Sequence, residues 1–122
     1  MSTLHDTRQG IIDAVGAVDA QTFDHVPGRL VPPALVVLPG SPYIEPGDVF
    51  GTFLVRHTVS VVMGQGANET ITESTDNLIE AVLKALVAEN VSIDSVSTFY
   101  IYESNGGQYL AADITVSDNI RL

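Results

Sequence analysis

Residues that commonly carry chemistry are present in this chain, but their spacing matches no familiar reactive arrangement. The three histidines, His5, His25 and His57, are far apart, and there is no cysteine. Structural metal sites are usually built from closely spaced His or Cys ligands, so we expect no metal site. His57 has apolar neighbours at alternate positions, which favours a hydrogen-bonded histidine in the core or at an interface.

A glycine-containing segment, Gly64-Gln65-Gly66, lies between a predicted strand and a predicted helix, where a dinucleotide-binding loop would be found. That fingerprint requires a third glycine, but Glu69 occupies the position and would repel a pyrophosphate. The chain also has no Gly-x-Ser-x-Gly motif to present a nucleophilic serine. We therefore expect no cofactor, no catalytic residue and no enzymatic activity.

Composition predicts one acidic globular domain over residues 1–122. The hydrophobic content of 45% favours a packed core over disorder. No apolar run approaches the roughly 20 residues that cross a bilayer, and the first residues lack a secretory signal pattern. We expect no membrane partner and assembly in the cytoplasm. Fifteen acidic against five basic residues give a net charge of -10, so binding of nucleic acid by counterion release is not expected.

Two amphipathic helices are predicted to flank the central strands. Apolar residues spaced by three and four indicate a helix from about Thr3 to Val18. The spacing from Thr70 to Glu73 is typical of a capping box and predicts the start of the second helix, for which Asn90 is a plausible end. The apolar stripe of this second helix consists of Leu78, Ile79, Val82, Leu83, Leu86 and Val87.

Two strands are predicted between the helices, after an irregular connector from Asp19 to Pro33. The segment from Pro32 to Ile44 indicates one short strand bounded by prolines, because proline cannot donate a hydrogen bond to a sheet. Alternation from Thr52 to Met63 indicates one long strand with an apolar face that includes His57.

The last third of the chain is predicted to form a hairpin. Asn105-Gly106 favours a two-residue turn, which would set Tyr102 opposite Tyr109. Tyr100, Tyr102 and Tyr109 would share a non-core face, either as half-covered surface or as a protein contact. The resulting order is α-β-β-α-β-β, and the predicted fold class is α+β: a mainly antiparallel sheet of about four strands with two helices packed on one face.

The chain resembles the tail terminator proteins of long-tailed, siphovirus-type bacteriophages, particularly the small versions from phages of actinobacteria. The resemblance covers almost the whole chain and lies in the layout of its segments. The segments that carry it are Phe23-Asp24-His25-Val26-Pro27, Pro32 to Val37, Pro39 to Ile44, Val59 to Val62, Leu78 to Leu86, and Gln108 to Val116.

The resemblance implies a structural virion protein that forms a homo-oligomeric ring, usually a hexamer, at the head-proximal end of the tail tube. Such a ring ends tube polymerisation and contacts both the major tail tube protein and the head-tail connector or head completion protein. Double-stranded DNA would pass through its lumen without specific binding. Three alternatives remain open: another neck protein, a tail tube subunit, and a cellular small-ligand-binding domain. Candidate interface residues by type are Arg29, Tyr43, Phe50, Arg56, Tyr100, Tyr102 and Tyr109.

Overall fold

The structure is a computed structural model that describes residues 3–16, 18, 21–23, 33–63, 69–104 and 107–122. The described residues form two helices and one six-stranded sheet. The elements are α1 (Thr3–Val15), β1 (Gln21–Phe23), β2 (Ala34–Pro46), β3 (Thr52–Val62), α2 (Glu69–Ala88), β4 (Ser92–Val96), β5 (Tyr100–Ser104) and β6 (Gly107–Arg121).

The sheet is mixed, with strand order β1-β2-β3-β6-β4, and β5 also pairs with β6. β1 is parallel to β2, and the other described pairs are antiparallel. The α+β class is therefore confirmed, but the expectation of about four strands is too low. The prediction missed β1, which is too short to show alternation, and β4, whose side chains are mostly exposed. Most of the predicted connector from Asp19 to Pro33 lies outside the described residues.

Both helices pack on the same face of the sheet, as predicted, and this face holds the main core. α1 contributes residues spaced as expected for an amphipathic helix, and it ends at Val15, earlier than the predicted Val18. Most of the alternating face of β3 is fully buried, and Val59 and Val61 lie in the core beneath the helices. Phe53, near the start of the strand, is half-buried. The predicted orientation of the strand is confirmed. The core contains Ile11, Ala14, Val15, Leu35, Val37, Val59, Val61, Leu78, Ile79, Val82, Leu86, Ala112, Ile114 and Val116.

The end of α2 is set by Asn90, which has a positive φ of 60°. Asn tolerates this left-handed conformation better than most residues. The Asn90 amide donates to the Val87 carbonyl at 3.0 Å, and the Val91 amide donates to the Leu86 carbonyl at 3.0 Å. This pair of bonds satisfies carbonyls that the helix leaves free, in the pattern of a Schellman motif. The predicted stop at Asn90 is confirmed.

β2 does not stop at its prolines, and in this respect the prediction is wrong. Its pairing with β3 runs from Ala34 to Pro39 and resumes at Ile44, so a bulge of four residues faces Arg56 alone. A bulge leaves residues unpaired, and there a proline costs no ladder hydrogen bond. The strand consequently continues past Pro42 to Pro46, and β2 and β3 are less buried near their common turn than at their other ends.

The β5–β6 hairpin has the predicted register, with Tyr102 opposite Tyr109 and Ile101 opposite Leu110. Its turn residues, Asn105 and Gly106, lie outside the described residues. Leu110 is buried as expected. Ile101 is 51% exposed on β5, whose one described partner is β6, and this part of the predicted core face is wrong. On the sheet face opposite the helices, a second cluster groups Ala34, Val36, Val62 and Ala111 with Phe23, Leu38 and the three tyrosines.

Candidate functional site

The turn between β2 and β3 is the most exposed apolar feature of the described chain. Phe50 is 100% exposed, and Val49 is also exposed. Gly51 has a φ of 86°, a conformation that glycine adopts without strain, and its carbonyl accepts a hydrogen bond of 3.0 Å from the Leu122 amide. This bond places the exposed Leu122 side by side with the turn. We call Val49, Phe50 and Leu122 the tip.

A second exposed apolar feature lies on the outer side of α2. It is a groove of about 360 Å³ lined by Glu80, Leu83, Lys84, Val87 and Ala88, and we call it the α2 groove. The predicted stripe placed Val87 in the core, but its side chain is 63% exposed. The stripe is wider than the sheet-facing side of the helix, so its outer members remain in solvent. Glu80 and Lys84, one helical turn apart, form an ion pair of 3.0 Å along the groove.

Arg56, a candidate interface residue, is held by carboxylates of its own chain. Its guanidinium forms ion pairs with Glu45 on β2 and, at 3.5 Å, with Asp94 on β4. Ser117 on β6 donates a hydrogen bond of 2.9 Å to Asp94. The hydrogen bond to Glu45 raises the pKa of Arg56 further above its ordinary value. This network connects β2, β3, β4 and β6 on the sheet face opposite the helices. Arg56 therefore has a structural role within its own chain.

Tyr43, another candidate, links the β2 bulge to α1. The Arg8 guanidinium donates a hydrogen bond of 3.1 Å to the Tyr43 hydroxyl. The Tyr43 ring meets the His57 ring edge to face, with 5.7 Å between centroids. His57 is fully buried, and neither of its ring nitrogens has a hydrogen-bond partner among the described residues. Burial, assisted by the nearby charge of Arg8, lowers the pKa of His57 to about 4.

The three candidate tyrosines are half-buried on the face opposite the helices. The Tyr100 hydroxyl and the Ser60 hydroxyl each donate a hydrogen bond of 2.8 Å to Asp113 Oδ1. Burial, together with the bond to Asp113, raises the pKa of Tyr100 to about 12. Tyr102 and Tyr109 lie opposite each other and pack with the small apolar cluster. Their rings cover part of this face, which fits the predicted half-covered surface.

The structure distributes the candidate interface residues over separate regions. Phe50 is at the tip, Tyr43 lies between sheet and α1, and the tyrosines are grouped on the opposite face. Arg29 lies outside the described residues. The sequence reasoning did not identify Val49, Leu122 or the α2 groove. Val49 could have been identified from the segment Asp48-Val49-Phe50, because two apolar residues there occupy a turn, and turns are normally polar.

A cavity of about 260 Å³ lies between α1 and the end of α2, and its lining combines three acidic side chains with polar and apolar ones; the acidic residues are Asp6, Glu89 and Asp118. Among the described residues, no three His, Cys, Asp or Glu side chains are grouped so that they could hold a metal ion. Within the same residues, no helix is long and apolar enough to cross a membrane.

No protein-family model matches the chain, and the search of curated proteins found no match either.

Proposed function

We propose that this chain is a structural virion protein that forms a ring, with six copies as the expected number, at the head-proximal end of a bacteriophage tail tube. In this role it ends polymerisation of the tube and joins the tail to the head connector. Its partners are further copies of itself, the major tail tube protein and a head-tail connector or head completion protein. The starting point is the resemblance of its segment layout to tail terminator proteins.

The observation that carries the proposal is the tip. Burying a Phe side chain stabilises a protein by roughly 1.5 to 3 kcal/mol relative to leaving it in water, yet Phe50 is wholly exposed. It lies in the turn that joins two long paired strands, β2 and β3. An exposed aromatic residue is typical of a protein contact, because Phe, Tyr and Trp are enriched at interfaces. A ring subunit requires such contacts on both sides.

The charge of the chain supports the same role. A net charge of -10 would repel a DNA duplex that passes through the ring, whereas a basic lumen would bind it. Arg56, on the face opposite the helices, is engaged by Glu45 and Asp94. The ring would therefore be a conduit and not a DNA-binding protein. It would be found in the tail or neck of the virion after assembly in the host cytoplasm.

The experiment removes the gene for this chain from a phage genome and supplies it again in trans. Electron microscopy then measures the length of the tails and the fraction joined to heads. Overlong tubes without heads are expected when the protein is absent, and tails of normal length are expected when it is resupplied. Tails of normal length that join heads without the protein would contradict the proposal.

The same experiment separates the alternatives. A tail tube subunit would leave no tubes when removed, and a connector or head completion protein would leave unattached tails of normal length. A cellular ligand-binding domain would leave virions unchanged. The matched control supplies the chain with Val61→Asp, which is expected not to fold, because it puts a charge in the core. This variant should not restore normal tails.

A further inference from the structure

Two apolar features of this chain are exposed. The tip ends in Phe50, and the α2 groove is a shallow, open surface on one helix that includes Leu83 and Val87. Because Phe50 is fully exposed, the tip does not occupy the groove of its own chain. We propose that the tip of one copy docks into the α2 groove of a second copy.

Size and polarity favour this occupant. An aromatic side chain buries about 150 to 250 Å² when it enters an interface, and it anchors best in a pocket that excludes water. The α2 groove is open and wider than one aromatic ring, and its apolar floor is formed by Leu83, Val87 and Ala88. Phe50 would lie on this floor, and Val49 with Leu122 would cover its margin.

The charges around the two features are complementary. Asp48 precedes the tip residues Val49 and Phe50, and Arg121 precedes Leu122. Both charged residues are exposed. The groove presents a basic group, Lys84, and an acidic group, Glu80, one helical turn apart. Docking brings Asp48 towards Lys84 and Arg121 towards Glu80.

This pairing matters because two copies with a net charge of -10 each repel one another. The chain has only five basic residues, and the contact uses two of them, Arg121 and Lys84. Charge pairs of this kind determine the register of an interface and suppress incorrect partners more than they add affinity. The contact would therefore weaken at high salt, while its apolar part would persist.

The contact is heterologous, because a tip meets a groove and each copy has one of each. Repeated contacts of this kind close into a ring when the rotation between copies is suitable, and otherwise give an open filament. The contact thus supplies the neighbour-to-neighbour surface of the proposed ring, and its biological role rests on that proposed function. The contact itself can be measured on the isolated protein.

The first measurement compares the size distribution of the full chain with that of two variants, by sedimentation velocity and native mass spectrometry over a range of concentrations. Phe50→Ser removes the anchor, and Val87→Lys puts a charge in the groove. Both positions are exposed, so the thermal midpoint should not change. Each variant should associate at least about tenfold more weakly than the wild-type chain, as expected for a central aromatic anchor.

The decisive measurement mixes the two variants. Phe50→Ser retains an intact groove and Val87→Lys retains an intact tip, so together they have one working contact. The mixture should form a one-to-one dimer that does not grow further. As a control, Ile101→Ser alters an exposed apolar residue outside both features and should associate like the wild-type chain. Asp48→Lys should weaken association, and adding Lys84→Asp should restore it.

A wild-type chain that stays monomeric at its highest attainable concentration would overturn the contact, and so would variants that form rings as well as the wild type does. In the second case the ring itself stands and only its contact surface is wrong. If instead the variants disperse as expected but phage tails are normal without the protein, the contact stands and the proposed function fails.

Discussion

The two faces of the sheet are built in different ways from alternate residues of the same strands. The face beneath the helices is filled with branched aliphatic side chains, and nearly all of them are fully buried. The opposite face combines a small apolar cluster with two hydrogen-bonded groups, one around Asp113 and one around Arg56. We call these the helix face and the open face. Their difference indicates that the helix face supplies most of the apolar burial that stabilises the fold, whereas the open face links the strands by hydrogen bonds and ion pairs.

Val61→Asp should have the largest effect, because Val61 is fully buried on the helix face. An unpaired charge there is expected to cost more than about 4 kcal/mol, enough to unfold many small domains. Circular dichroism and sedimentation should show an unfolded or aggregated protein. The matched control is Thr58→Asp, on the open face of the same strand, which should cost roughly 1 kcal/mol or less. A soluble Val61→Asp variant with an unchanged thermal midpoint would contradict the assignment of the helix face.

His57 is buried on the helix face, and its protonation should make the free energy of unfolding depend on pH. Its pKa falls from 6.5 to about 4 on folding, so between these values the unfolded chain binds the proton that the folded chain excludes. This contribution is complete above pH 6.5 and is lost as the pH falls towards 4, with a total on the order of 3 kcal/mol.

Urea unfolding at several pH values would measure this effect. His57→Leu should flatten the dependence in the acid range, and it should be tolerated at neutral pH because the two unpartnered ring nitrogens are removed. Ile101→Ser changes an exposed, uncharged residue far from His57 in the chain and should retain the dependence of the wild-type chain. If His57→Leu loses as much stability at acid pH as the wild-type chain does, other groups cause the loss.

Asp113→Ala should have a smaller effect, since it removes the shared acceptor of Ser60 and Tyr100 on the open face. Leaving these hydroxyls unpaired is expected to cost about 1 to 3 kcal/mol. The pKa of Tyr100, about 12 in the folded chain, should fall, which ultraviolet titration would detect. The control Asp118→Ala, at an exposed position of the same strand, should cost under roughly 0.5 kcal/mol and leave the titration unchanged.

The last and smallest expected effect is that of added DNA, which should not bind the chain. At physiological salt neither face should bind it, because the net charge is -10 and Arg56 on the open face is paired with Glu45 and Asp94. Fluorescence anisotropy with a labelled duplex would measure this. Micromolar binding with a steep salt dependence would indicate a basic surface that this comparison does not include.

The parts of the fold that depend on local rules could be predicted from the sequence. Regular spacing identified α2, and Asn90 marked its end. Asn105-Gly106 was sufficient to predict that Tyr102 pairs with Tyr109, because a two-residue turn determines the register of its hairpin. Alternation along β3 separated its helix face from its open face.

The parts that depend on distant partners could not be predicted. The parallel pairing of β1 with β2 leaves no local pattern over three residues. The carboxylates around Arg56 come from separate strands, and its type alone made it look like an interface residue. Periodicity showed that Val87 belongs to an apolar stripe but not that it lies beyond the edge of the covered side. The α2 groove arises from such a feature, and the tip includes Leu122 only through a bond to the distant Gly51, so both surfaces became complete only in the three-dimensional structure.

The prolines of β2 have a consequence for unwanted polymerisation. Among the described residues, β1 pairs only with Ala34 to Val36, so the outer edge of β2 from Val37 to Pro46 has no described strand beside it. A bare edge can recruit a strand from another molecule and seed amyloid-like growth. Pro39, Pro42 and Pro46 remove amide donors from this edge, and the bulge breaks its regular spacing. Copies at high concentration would thereby be discouraged from joining backbone to backbone.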